Sequence, residues 1–102
     1  MPISNPGSVI LPTFSAASNV SVALTAATST SLLAANPNRK FAAIVNNGSV
    51  DVTVALGSTA TAGAGIVLKG GGGSFEIDSP LYLGAVSAIA ASATSVGVVE
   101  GT

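Results

Sequence analysis

The sequence predicts one all-β domain, an antiparallel β-sandwich or barrel-like fold of about eight strands, preceded by an extended N-terminal arm. Apolar and polar residues alternate along most of the chain, and clusters of Gly, Pro and Asn interrupt the alternation roughly every eight to twelve residues. No segment keeps a helical period over several turns. A length of 102 residues suits a single domain.

Residues 1–18 form the predicted arm. Its prolines, at positions 2, 6 and 12, fix φ and remove amide donors, which disfavours a central strand. Apolar side chains distinguish the arm from a typical disordered tail. They are Ile3, Val9, Ile10, Leu11 and Phe14. We interpret the arm as a strap that lies on a neighbouring surface, and an arm folded back over its own domain explains the pattern equally well.

Residues 19–102 form the predicted sandwich domain, in which each strand is a short alternating segment. The predicted strands span residues 19–26, 28–35, 40–46, 50–56, 65–69, 74–78, 80–86 and 93–100. Residues 85–93 are rich enough in Ala to form a short helix instead. Asn47-Gly48 predicts a hairpin turn, because both residues tolerate a positive φ. Four consecutive glycines at residues 70–73 predict a flexible loop.

Aromatic residues divide into two groups by their place in the alternation. Phe41 and Phe75 are in phase with inward-facing residues, so we expect both in the core. Tyr82 lies on the opposite strand face from Leu81 and Leu83, so we expect it at the surface as an interface anchor.

Charged residues are scarce, at 7% of the chain with a net charge of −1. Charged residues usually make up about a quarter of a soluble domain, and a weakly charged surface favours association. A monomer solubilised by Ser, Thr and Asn is the alternative. With three basic residues, specific nucleic-acid binding is disfavoured. Residues 79–99 are uncharged and long enough to cross a bilayer, but Ser, Thr and Gly interrupt them, so we expect no membrane partner.

Residues suited to catalysis or metal binding are few. The chain has no His and no Cys, which excludes a Ser-His-Asp triad and a thiolate metal site. Lys69 precedes the glycine run, whereas a phosphate-binding loop has its lysine after the glycines. Glu76 and Asp78 share a strand face, where a solvated pair is favoured over a calcium or glycosidase site. We therefore expect no enzyme, no cofactor and no metal.

A turn and several strands resemble a known pattern between residues 32 and 100. The turn is Asn36-Pro37-Asn38-Arg39-Lys40, followed by a hydrophobic strand that ends in Asn46-Asn47. The later parts are Val50-Asp51-Val52-Thr53-Val54, Pro80-Leu81-Tyr82-Leu83-Gly84-Ala85-Val86 and a Val-rich strand ending at Glu100. This pattern resembles small structural proteins of tailed-bacteriophage virions, of the capsid decoration (cement) type.

The resemblance implies a β-sandwich that stabilises a phage head as a homo-oligomer, commonly a trimer. Such a subunit sits on the outer surface of the capsid and binds the major capsid protein between capsomers. A tail, baseplate or head-fibre base component is the first alternative. A carbohydrate-binding or adhesive module displayed on the virion is the second.

The interface candidates combine the arm with the turn and one strand. Besides the five apolar arm residues they are Arg39, Lys40 and Tyr82. The resemblance marks Arg39 as a turn or interface contact rather than a catalyst. We expect that removal of residues 1–18 weakens binding to the shell and leaves the domain folded.

Overall fold

A computed structural model describes residues 13–78 and 81–102, and within them the only regular secondary structure is β-strand. The strands are β1 (Ala17–Leu24), β2 (Thr30–Leu33), β3 (Phe41–Asn46), β4 (Val52–Leu56), β5 (Ile66–Leu68), β6 (Ser74–Ile77), β7 (Val86–Ala90) and β8 (Thr94–Gly101). The prediction of an all-β fold with eight strands is confirmed. Because β1 begins at Ala17, the last two residues of the predicted arm belong to the domain.

The strands form two antiparallel sheets of four. Sheet A has the order β1-β8-β3-β6 and sheet B the order β2-β7-β4-β5. Strand pairing is nested: β1 pairs with β8, β2 with β7, β3 with β6 and β4 with β5. This is the jelly-roll arrangement, in which a long antiparallel hairpin of strands is rolled into two facing sheets.

The core lies between the two sheets and consists of aliphatic side chains, among which valine is the most frequent. Val52 and Val54 of sheet B and Val96 and Val98 of sheet A are at most 1% exposed. Their spacing of two residues puts each pair on one face of its strand, as the alternation predicts. Full burial of one such side chain stabilises the fold by about 1.5–3 kcal/mol.

Most connections cross from one sheet to the other, which corrects two turn predictions. Asn47-Gly48 joins β3 of sheet A to β4 of sheet B, so it does not form a hairpin. The glycine run joins β5 to β6, also across the sheets. Its backbone is anchored, since Gly71 N donates to Gly48 O over 2.8 Å and Gly72 N to Asn46 O over 2.9 Å. The expected flexible loop is therefore a hydrogen-bonded crossover between the sheets.

The secondary structure around residue 85 also differs from the one predicted. Residues 81–85 are not a strand, and β7 begins only at Val86. The Ala-rich segment is a strand rather than a helix, because it pairs with both β2 and β4. Within the described ranges, the structure has no helix of the length and hydropathy needed to span a membrane.

The outer face of sheet B is covered by a loop, whereas the described loops leave the outer face of sheet A open. The loop between β4 and β5 folds back over sheet B, where Gly63 N donates to Thr53 Oγ1 over 3.1 Å and Ala60 N to Ser29 Oγ over 2.8 Å. These two bonds carry the loop across the sheet, and Ser87, which lies on the covered face between β2 and β4, is fully buried. No described loop makes such bonds over sheet A.

Candidate interface

Arg39 owes its position to the Asn-Pro-Asn turn that precedes it. Arg39 N donates to Asn36 O over 3.2 Å, and Asn38 N donates to the side-chain oxygen of Asn36 over 3.0 Å. Pro37 occupies the second position of this turn, where its fixed φ is favoured. The turn therefore aims the Arg39 side chain away from solvent and into one end of the sandwich.

The guanidinium of Arg39 donates four hydrogen bonds inside the domain. Its Nε donates to Glu100 Oε2 over 2.7 Å, and its NH2 donates to Ala34 O over 2.8 Å. Its NH1 donates twice, to Tyr82 O and Gly84 O, each over 2.9 Å. Arg39 is 1% exposed. One side chain thus joins the end of β2, the last strand and the segment before β7.

This burial removes Arg39 from the interface candidates, although its predicted role as a turn contact agrees with the geometry. A sequence signal for the burial exists. Glu100 is in phase with Val96 and Val98, which face the core, so a carboxylate at that position needs a buried cationic partner. Arg39 supplies this partner.

The segment from residue 81 to residue 85, which we name the leucine loop, is held firmly by its backbone. Besides the two bonds from Arg39, Leu83 O accepts from Asn36 N over 2.8 Å, and Ala85 O accepts from the Tyr82 hydroxyl over 3.0 Å. Leu81 and Leu83 nevertheless remain 37% and 38% exposed. The loop therefore displays two leucines on a fixed backbone.

Tyr82 has the opposite orientation to the one predicted. Its ring is half-buried and packs against the core, while the leucines on either side face outward. The segment is not a strand, so the alternation rule does not apply to it. Leu56, at the end of β4, pairs with Val86 directly after the leucine loop and is 47% exposed. It adds a third exposed leucine to this end of the sandwich.

Phe14 lies on the outer face of sheet A. Its ring is stacked on Phe41, with centroids 5.6 Å apart and planes 8° from parallel. Gly101 provides the space, because a Cβ there would come within 2.5 Å of the Phe14 ring. The prediction of Phe41 as a core residue is wrong, since β3 contributes Ala42 and Ile44 to the core, from the opposite face of the strand. The four other arm candidates, Ile3, Val9, Ile10 and Leu11, lie outside the described residues.

The rest of the outer face of sheet A is open and short of charge. A shallow cleft of about 410 Å³ runs over Gly97, between Ser21 on β1 and Val45 on β3. A second cleft, of about 500 Å³, is lined by Lys40, which is exposed, and by the turn before it. Neither cleft gathers a set of ionisable groups suited to catalysis.

Charged side chains outside the Arg39 cluster are dispersed. Glu76 and Asp78 are exposed, with Glu76 on the outer face of β6. Lys69 Nζ lies 3.0 Å from Asp51 Oδ2 at the surface. The hydrogen bond from Lys69, helped by one from Gly70 N, lowers the pKa of Asp51 below its ordinary value. No three acidic, His or Cys side chains within residues 13–78 and 81–102 are grouped to hold a metal ion.

Comparisons with known proteins found no match to this chain, whether among protein-family models, curated proteins or solved structures.

Proposed function

We propose that this protein is a structural subunit of a bacteriophage virion, of the capsid decoration type, which stabilises a phage head by binding the major capsid protein between capsomers. The observation that carries the proposal is a jelly-roll domain with a surface of few charges and several exposed large apolar side chains. Jelly rolls are recurrent building blocks of viral shells, although the fold alone does not determine function.

The scarcity of charge supports a role in an assembly. Of the seven charged residues, Arg39 and Glu100 pair within the domain, and Lys69 pairs with Asp51 at the surface. Few charges remain that would repel a neighbouring protein. An exposed patch free of charge and rich in apolar side chains is typical of protein interfaces.

The leucine loop is the part of the surface we assign to the shell contact. Leu81 and Leu83 are presented on a backbone already fixed by Arg39 and Asn36, so little conformational entropy is lost when they are covered. Leu56 extends the same apolar end. Repetition of a modest contact over many subunits strengthens a shell by multivalency.

The first experiment measures the copy number of the chain in virions purified from its source, by quantitative mass spectrometry. A decoration subunit is present in hundreds of copies on a large shell, whereas a tail, baseplate or fibre-base component is present in a few dozen at most. Absence from the particles overturns the proposal. A low copy number assigns the chain to the tail instead.

The second experiment tests the assigned contact by rebinding of recombinant protein to particles stripped of it. The double variant Leu81→Ser/Leu83→Ser is expected to bind at least about tenfold more weakly, because truncation of buried interface anchors typically costs 1–2 kcal/mol or more each. Val67→Ser is the control, since Val67 is 45% exposed on a different part of the surface. Equal binding by both variants removes the leucine loop from the contact.

The carbohydrate-binding alternative is tested on a glycan array with the unaltered chain. Lectins share the jelly-roll architecture, and sugar sites usually present exposed aromatic rings. Phe14 is the exposed aromatic of the described residues, and one of its faces is covered by Phe41. We therefore expect no specific glycan signal.

A further inference from the structure

The two sheets have four edge strands, and three of them carry features that prevent further strand pairing. β5 has only three residues and is followed by Lys69. β6 has four residues, including Glu76, and is followed by Asp78. β2 also has four residues, and its register shifts between Ser31 and Leu33. Short length, charge and irregular register are the usual protections of a sheet edge.

The fourth edge strand, β1, has none of these protections. It is eight residues long, with the sequence Ala-Ser-Asn-Val-Ser-Val-Ala-Leu, and contains neither a charge nor a proline. Within the described part of the chain, it has a hydrogen-bonded neighbour, β8, on one side only. A long, uncharged edge of this kind is a template for another strand.

The free backbone groups of β1 are identified by its register. Ala17 pairs with Gly101, and one step further Thr102 N donates to Ala16 O over 2.8 Å. In antiparallel pairing, alternate residues exchange both of their hydrogen bonds with the same partner. The even-numbered residues of β1 therefore face β8. The odd-numbered ones, Ala17, Asn19, Ser21 and Ala23, direct their N–H and C=O groups to the open edge.

Val20 is the large apolar side chain of β1 left uncovered at this edge. It is in phase with Val22 and Leu24 and opposite Val98, so it lies on the inner face of sheet A. It is nevertheless 48% exposed, whereas Val98 is 1% exposed. The inner face of β1 therefore continues the core beyond the limit of sheet B.

We propose that β1 pairs antiparallel with β1 of a second copy of this chain, with Val20 opposite Val20 across a two-fold axis. This register aligns Ala17 with Ala23 and Asn19 with Ser21. Every outward-facing residue then donates and accepts, for about eight hydrogen bonds in all. The inner faces remain on the same side, and the two Val20 side chains cover each other. Sheet A becomes an eight-stranded sheet that spans both copies.

A second copy is favoured over other extended segments because β1 is complementary to itself in this register. No like charges meet, each outward-facing N–H and C=O group of one strand pairs with a group of the other, and Val20 packs against Val20. The inference goes beyond the proposed function and does not depend on it. The contact uses β1 alone and leaves the leucine loop free for a shell or for a trimer contact.

Cysteine cross-linking tests the register directly, because the chain has no native cysteine. Val20→Cys places two sulfur-bearing residues in a non-hydrogen-bonded pair, with Cα atoms about 4.5 Å apart, within disulfide range. Mild oxidation is expected to give a covalent dimer. Ser18→Cys is the matched control on the same strand face. Its two copies would lie roughly 13 Å apart, too far for a disulfide.

Failure of Val20→Cys to cross-link, or equal cross-linking of both variants, overturns the proposal. Pairing of β1 with residues 1–12 of its own chain would also appear as a failure to cross-link.

A charge variant tests the same contact without a covalent cross-link. Val20→Lys places like charges directly opposite each other and is expected to weaken dimerisation by more than about tenfold in sedimentation equilibrium. The fold should persist, as checked by circular dichroism, because the side chain is half exposed. Val67→Lys changes a similarly exposed valine on edge strand β5 and should leave dimerisation unchanged. A monomeric unaltered chain, or equal effects of the two lysines, contradicts the proposal. Shell binding through the leucine loop can still be measured in either case.

Discussion

Arg39 and Glu100 meet across 2.7 Å at one end of the sandwich, although 61 residues separate them in the chain. Arg39 precedes β3, Glu100 lies near the end of β8, and the two strands are neighbours in sheet A. The same guanidinium binds three carbonyl groups from two other segments. This cluster therefore fixes the geometry of the leucine loop as well as the end of the core.

Replacement of Arg39 by Ala should destabilise the domain by about 3–5 kcal/mol, because it leaves a carboxylate and three carbonyls without their partner in a largely dry site. Urea denaturation followed by circular dichroism measures the loss. Lys40→Ala is the matched control, since Lys40 is the adjacent cation and is exposed, and it should change stability by less than about 0.5 kcal/mol.

The Arg39→Ala variant risks failing to fold, so Glu100→Gln provides a milder test. It keeps an acceptor oxygen for Arg39 Nε and removes the charge. The expected cost is about 1–2 kcal/mol, because hydrogen bonds to charged groups are stronger than neutral ones. Full stability in this variant would contradict the importance of the ion pair.

Asn46 is the corresponding buried polar residue at the other end of β3. Its Nδ2 donates to Val50 O over 2.7 Å and to Leu68 O over 3.0 Å, and its Oδ1 accepts from Gly48 N over 3.0 Å. Asn46→Asp replaces a double donor with a carboxylate that faces two carbonyls. We expect a loss of about 3 kcal/mol or more near neutral pH.

Asn47→Asp is the control for this variant, because it makes the same substitution at the adjacent residue, which is exposed. Its effect should stay within about 0.5 kcal/mol. Chemical denaturation of the two variants in parallel separates the lost hydrogen bonds from the added charge. Similar losses in both would show that charge, rather than hydrogen bonding, is responsible.

Local alternation was sufficient to predict the strands whose two faces differ in polarity. Val52 and Val54 alternate with Asp51 and Thr53, and the valines face the core as expected. β3 is apolar on both faces, so its sequence does not determine which face is inward. Its pairing with β8 determines this, and Phe41 consequently lies outside.

Features that depend on distant pairing were not predictable from local signals. Asn47-Gly48 favours a tight turn in any context, but whether the next strand joins the same sheet depends on β4 pairing with β7. The leucine loop has the alternation of a strand, yet hydrogen bonds from Arg39 and Asn36 take up its carbonyls. The one sequence signal for the burial of Arg39 is that Glu100 lies on the same strand face as Val96 and Val98 and therefore needs a buried cationic partner.

The surface pair of Asp51 and Lys69 predicts a dependence of stability on pH. The hydrogen bond from Lys69, with that from Gly70 N, lowers the pKa of Asp51 in the folded state relative to its ordinary value of 3.8. The stabilisation is therefore complete above the ordinary pKa and is lost as the pH falls through the lower folded value. Denaturation midpoints of the unaltered chain and Asp51→Asn should differ near neutral pH and converge in strong acid.

The difference should be small and should shrink in high salt, because the side chains of Lys69 and Asp51 are 79% and 50% exposed. Asp78→Asn is the control, as an exposed carboxylate outside the ion pairs of the described residues. A difference that persists in acid would contradict the assignment to this carboxyl group.

Ser87 should be the site of a stabilising substitution. It is fully buried on the covered face of sheet B, and its Oγ is the one buried side-chain oxygen or nitrogen in residues 13–78 and 81–102 without a hydrogen-bond partner. An unpaired buried hydroxyl costs about 1–3 kcal/mol of desolvation. Ser87→Ala removes that cost with little loss of volume, so we expect a gain of about 1 kcal/mol in the free energy of unfolding.

Ser31→Ala is the matched comparison for Ser87→Ala, because Ser31 pairs with Ser87 on the same face and is exposed. Its hydroxyl is accessible to solvent, so its removal should change stability by less than about 0.5 kcal/mol. Thermal or urea unfolding of both variants gives the comparison. A loss of stability in Ser87→Ala would mean that the hydroxyl has a partner beneath the β4–β5 loop.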